Sequence, residues 1–168
     1  VRNITAHLLE KGCTLPGFMG DIGYAQSNRE RYEGFCQALM DAGKTPNPSL
    51  CLTTPLGIDS YREEIDSFLS SLSRMPDAFV CASDYVACIL MQLLEKRGLR
   101  VPEDVAVSGF DNNIEDLLAE NLTTVQVFNE ELGSRLALQI LYRIKYPHTP
   151  HEVTYLESKV LYRASTGD

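Results

Sequence analysis

Three side chains stand where a small polar molecule could be held: Arg31, Asp111 and Tyr24. Arg31 falls just inside the helix predicted after Ser27, where the helix dipole disfavours a cation. Its rigid fork of donors suits hydroxyls or a carboxylate, although an ion pair with Glu30 would also account for it. Asp111 directly follows residues 105–110, which read as a buried strand. A carboxylate there can accept two hydroxyl hydrogen bonds or cap the short helix predicted next. Tyr24 lies in a polar, glycine-rich loop and can stack on the apolar face of a sugar ring, or be merely packed or exposed.

Catalytic and metal chemistry find little purchase. Gly17-Phe18-Met19-Gly20 lacks the Lys-Ser/Thr of a phosphate loop, and no GxGxxG follows a strand. Ser108-Gly109 lacks the preceding glycine of a nucleophile elbow. His148 and His151, among prolines, have no thiolate or carboxylate in register and predict a solvated loop rather than a metal site. Glu63-Glu64 and Glu130-Glu131 are adjacent on helices, so each pair points apart. No catalytic residue, metal or cofactor is expected.

The 168 residues carry 44% hydrophobic content, enough for one ordinary core, and a net charge of -8. That charge repels phosphate backbones, so the chain is not expected to bind nucleic acid by itself. No apolar run approaches the roughly 20 residues of a membrane span. The start, Val1-Arg2-Asn3-Ile4, has neither an initiator Met nor a secretion pattern and reads as a fragment. Five cysteines without a close pair predict free thiols, mostly buried, in a reducing cytosol.

Positioning falls to alternating elements. Ile4, Leu8 and Leu9 predict a helix over 1–11 that stops at Gly12. Ser27 and Ser60, each with Glu three positions on, predict capped helices, the first burying Tyr32, Phe35, Cys36, Leu39 and Met40. Ser83 and Asp84 cap another, and Asn129 a fourth with Leu132, Leu136, Ile140, Leu141 and Ile144 on one side. Strands are predicted at 14–19, 50–53, 78–82, 105–110 and 122–128, with a short helix over 114–119 and an extended tail near 155–162. The order implies an α/β fold with a parallel sheet covered by helices on both faces. Ligands of such sheets sit beyond the carboxyl ends of the strands, here residues 20–30, Ser83-Asp84 and Asp111–Asn113.

Several stretches together resemble the sensor domain of the LacI/GalR family of transcription regulators. Arg31-Tyr32-Glu33-Gly34-Phe35 followed by Ala38-Leu39 is similar to its R-x-x-G-F-x-x-A-L helix. Residues 76–84 resemble its strand ending in Asn-Asp, with Ser83 in place of Asn, which removes a donor arm. Residues 98–111, Leu122-Thr123-Thr124-Val125 with Gly133, and Arg163-Ala164-Ser165-Thr166 follow in the family's order. Cys88 replaces a common Gly there.

The resemblance implies a Rossmann-like, periplasmic-binding-protein-like (type I) fold with the C-terminal subdomain complete and the N-terminal one partial. Residues 1–12 would be a remnant helix of the N-terminal subdomain, 13–121 the C-terminal effector-binding and dimerisation subdomain, and 122–168 the return segment and last crossing. The resemblance implies ligand contacts at Arg31 and Asp111; Ser83, which can instead cap its helix with Asp84, and Tyr24 are further candidates, as is Phe128 beside the crossing, where a core role is the alternative. A small-molecule effector of the sugar or sugar-derivative class, a homodimer and a cytoplasmic location are what the resemblance implies. Operator DNA would be met only through a helix-turn-helix outside this chain. Apolar surface on 1–11 and 129–145 is then expected to be exposed. The rival reading is a periplasmic sugar-binding protein of a transport system, which shares the fold.

Overall fold

Ala78-Phe79-Val80-Cys81 is apolar at every position, and in the computed structural model it forms an inner strand buried on both faces. The structure describes residues 1–57, 59–113 and 117–168. Helices α1 (Arg2–Glu10), α2 (Gln26–Asp41), α3 (Tyr61–Ser71), α4 (Asp84–Lys96), α5 (Leu117–Glu120) and α6 (Asn129–Lys145) alternate with strands. These are β1 (Pro16–Met19), β2 (Cys51–Leu52), β3 (Ala78–Cys81), β4 (Ala106–Ser108), β5 (Thr124–Gln126) and β6 (Lys159–Leu161). The expected helix over 114–119 is seen as α5, and its residues 114–116 lie outside the described residues.

The strands β2-β1-β3-β4 form a parallel sheet in that order. Beyond β4 the ladder continues through Thr123, whose carbonyl accepts from Gly109 N–H at 2.8 Å, and Val125, whose carbonyl accepts from Asp111 N–H at 3.1 Å. Strand β6 then pairs antiparallel with β5. Alternation along each strand sends side chains to opposite faces. Met19, Phe79, Cys81 and Val107 meet α3 and α4 through Ile65, Leu69, Leu90 and Leu94. Phe18, Ala78 and Val80 face the other way, toward Ile4, Leu8, Phe35 and Leu39 of α1 and α2. Both faces are covered, so β1 and β3 are apolar throughout.

That second cluster corrects one expectation: the apolar side of residues 1–11 is not left exposed, because Ile4 and Leu8 are buried against the sheet. Residues 122–126 likewise extend the sheet, with Leu122 and Val125 buried. Helix α6 is the contrast: it buries no residue, and Leu132, Leu136, Ile140 and Ile144 are all exposed as expected.

Cap chemistry departs from the sequence pattern at three helices. Helix α2 begins with Ala25 at its cap rather than Ser27 and has no side-chain cap. The entry is fixed instead by Asn28, whose Nδ2 donates to the Asp21 carbonyl at 2.9 Å. Ser60 is at the α3 cap, but its hydroxyl donates to the Glu64 carboxylate of the next turn. Phe128, not Asn129, stands at the cap of α6. Met40, read as buried in α2, is exposed. Cys81 and Cys88 are buried, and Cys13, Cys36 and Cys51 are half-buried. No described helix is long and apolar enough to cross a membrane.

Candidate functional site

The carboxyl ends of β1, β3 and β4 open into one cleft of about 200 Å³. Gly20 and Asp21 follow β1, Ala82 and Ser83 follow β3, and Asp111 follows β4 by three residues. Tyr24 and Ala25 reach it from the loop into α2, Ser27, Asn28 and Arg31 from the first turns of α2, Tyr61 from α3 and Val86 from α4. This is the place a parallel sheet reserves for ligands, because the loops into its helices converge there.

Arg31 crosses the cleft. Its Nη1 donates to the Ala82 carbonyl at 2.6 Å and its Nη2 to Asp111 Oδ1 at 3.2 Å. The guanidinium lies 3.8 Å above the Phe110 ring centre, a cation–π contact. The partner is therefore Asp111 rather than Glu30, which accepts from Gln26 instead. Burial pushes the Arg31 pKa down, and Asp111 and Asp84 oppose it. Burial pushes the Asp111 carboxyl up, and the Arg31 charge and hydrogen bond oppose that. Both side chains remain partly open to solvent, so the pair is formed yet reachable.

The turn carrying Asp111 is strained. Asp111 has φ 110° and Asn112 φ 49°, left-handed conformations uncommon outside glycine. Such strain persists only where the surroundings over-determine it, and here they do. Asp111 N–H donates to Val125. Asn112 accepts from Arg163 Nη2 at 3.0 Å. Buried Asp84 accepts from Thr124 Oγ1 at 2.6 Å and from the backbone of Asn112 and Asn113. Burial raises the Asp84 pKa, and these hydrogen bonds pull against it. Capping by Asp111 of the segment at 114–116 lies outside the described residues.

Four of the five residues expected from sequence come together: Arg31, Asp111, Ser83 and Tyr24 line the cleft. Ser83 does so while its Oγ accepts from Val86 N–H at 3.3 Å, so it caps α4 as well. Tyr24 is 75% exposed at the rim. Phe128 is not in the cleft and is not core either. It lines a separate hollow with Gln126, Asn129 and Ser134, because β5 ends two residues earlier and the chain turns away into α6.

Asp21, Asn28 and Tyr61 were not singled out from sequence. Asp21 is buried; its Oδ1 accepts from Gly23 and Tyr24 N–H at 2.7 and 3.0 Å, and its Oδ2 from Leu56 N–H. The available signal was position, since Asp21 closely follows β1 much as Asp111 follows β4. Among the described residues no three His, Cys, Asp or Glu gather as a metal site. His148 and His151 are exposed.

The comparisons agree with this architecture. Residues 5–166 match the family described as a periplasmic binding protein-like domain. The transcriptional repressor PurR of Aliivibrio salmonicida is 29% identical over 163 residues, covering 96% of this chain and 48% of that protein. The transcriptional regulator DegA of Bacillus subtilis is 35% identical over 130 residues, covering 76% of this chain and 38% of that protein. The solved complex of the transcriptional regulator CelR with cellobiose superposes with a TM-score of 0.85 at 28% identity, over 98% of this chain and 50% of that one. The chain thus spans about half the length of the curated relatives it matches. Its matched relatives are transcriptional regulators and its solved neighbours include LacI-family regulators, and the chain belongs to the periplasmic binding protein-like domain family.

Proposed function

We propose that this chain is the effector-binding and dimerisation part of a LacI-type transcription regulator and that its cleft takes a small uncharged sugar. The observation that carries the reading is the Arg31–Asp111 pair at 3.2 Å, partly open to solvent at the carboxyl ends of the strands. Together the two offer a donor fork and an acceptor carboxylate at one point, as adjacent sugar hydroxyls require. Among the described lining residues Asp21 and Asp111 outweigh Arg31, which disfavours an anion. A neighbour holds cellobiose, which supports a sugar here.

The regulatory step follows from linkage. A second subdomain would close over the cleft, and its docking face is the exposed apolar side of α6. The ligand then favours one arrangement of the two lobes by its differential affinity for them. Operator DNA would be contacted through a helix-turn-helix outside this chain, since a net charge of -8 does not suit phosphate. The chain would act by binding alone, without catalysis. The relatives' names give no support to the rival transport reading.

A thermal-shift screen of glucose, galactose, cellobiose, maltose and free nucleobases tests this. A sugar is expected to raise Tm, and Arg31→Gln or Asp111→Asn to remove the rise. An unchanged rise in both variants would contradict the assignment.

A further inference from the structure

One side-chain amide ties the Asp111 turn to two distant segments. Asn112 Oδ1 accepts from Arg163 Nη2 at 3.0 Å, and its Nδ2 donates to Gln126 Oε1 at 2.5 Å. Its backbone N–H serves Asp84. The three partners stand on separate elements. Asp84 opens α4, Gln126 ends β5 two positions before Phe128 at the cap of α6, and Arg163 follows β6. Arg163 is itself fixed, because its Nη1 donates to the Ala119 and Leu122 carbonyls at 3.0 and 3.1 Å. An amide suits this place because it accepts at one atom and donates at another, whereas a carboxylate only accepts.

What the amide restrains is the neighbouring Asp111. At φ 110° that residue lies outside the conformations an L side chain prefers, and in that pose its Oδ1 meets Arg31 Nη2 at 3.2 Å. Strain of this kind relaxes when the surroundings stop enforcing it. We propose that Asn112 is a positioning residue for the Arg31–Asp111 pair: gripped between Gln126 and Arg163, it keeps the Asp111 carboxylate on Arg31 and carries movement at the base of α6 to it. Helix α6 bears the exposed apolar face, so a load on that face reaches the cleft through this amide. The consequence for ligand rests on the reading of the pair as a binding site; the clamp itself does not.

The test compares Asn112→Gly, Gln126→Leu and the double variant with the parent chain. Glycine enters a left-handed turn freely, so Asn112→Gly removes the grip and leaves the turn available. Without ligand, the side-chain ¹⁵N and ¹H signals of Arg31 are expected to shift in both single variants, in the same direction. The double variant shifts no further than Asn112→Gly, because that change already releases Gln126. With the sugar that most raises the parent Tm, drawn from glucose, galactose, cellobiose and maltose, both single variants bind about tenfold more weakly. Parent-like Arg31 signals in Asn112→Gly, or shifts that add in the double variant, overturn the clamp. Shifted signals with sugar affinity unchanged, or with no sugar bound, support the clamp and overturn the sugar-binding reading of the pair.

Discussion

Gly109 and Asp84 approach so closely that a β-carbon on Gly109 would stand 2.2 Å from Asp84 Oδ1 and 3.0 Å from Leu122 Cδ2. The same Oδ1 holds the Thr124 hydroxyl, and the Asp84 carboxylate also holds the backbone of the Asp111 turn. Gly109→Ala is therefore expected to cost about 3 kcal/mol of stability, at the upper end of overpacking changes. It should also weaken ligand binding by displacing Asp111. A denaturation midpoint within error of the parent chain would show that the turn yields more easily than this packing implies.

The carboxylate of Asp168 ties the end of the chain to α1. It accepts from Lys11 Nζ at 2.8 Å, His7 Nε2 at 3.1 Å and Thr166 Oγ1 at 2.7 Å. Partial burial pushes its pKa up, but these partners outweigh that and hold it down at about 2. A depressed carboxyl pKa contributes stability that is present above the unfolded value near 3.8 and lost as pH falls toward 2. The Tm difference between the parent and Asp168→Ala should thus be full at pH 6 and shrink toward zero near pH 2. A difference that stays constant across that window would contradict the latch.

Ser108 is buried on β4, and its hydroxyl has no hydrogen-bond partner among the described residues. An unsatisfied buried hydroxyl costs about 1–3 kcal/mol. Ser108→Ala should leave Tm unchanged or raise it, with chemical denaturation as the check. A loss above about 1 kcal/mol would mean that the hydroxyl has a partner in solution.

Helix α6 presents Leu132, Leu136, Ile140 and Ile144 to solvent, and a hollow of about 710 Å³ lies between it and residues 152–156. A patch of this kind favours association. The chain should self-associate at high concentration by light scattering, and Leu136→Glu with Ile140→Lys should reduce that without lowering Tm. A strict monomer at high concentration would count against the exposed face.

Much of this was legible beforehand, for definable reasons. Unbroken apolarity at 78–81 and helical spacing at 84–96 fixed β3 and α4, because a strand covered on both faces admits no polar position. Arg31 was legible as a misplaced cation, and Asp111 as a carboxylate at the end of a strand. What remained hidden was long-range pairing. That α1 packs beneath Phe18 and Val80 depends on which face of the sheet is vacant, and no local pattern states it. The capping box at Ser27 lost to the Asn28–Asp21 bond, a contact between segments. Phe128 lies outside the cleft because the end of β5 is set by its ladder with β6 and not by apolarity.

The central claim is that Arg31 and Asp111 hold the ligand, and the guanidinium itself can report on it. The side-chain ¹⁵N and ¹H signals of Arg31 should be followed while cellobiose, and separately glucose, is added to the chain. On this account those signals shift saturably as sugar hydroxyls share the donors that now serve Asp111, and Asp111→Asn weakens the effect. Saturable shifts confined to α6 and the hollow beside Phe128, with Arg31 unmoved, would contradict it.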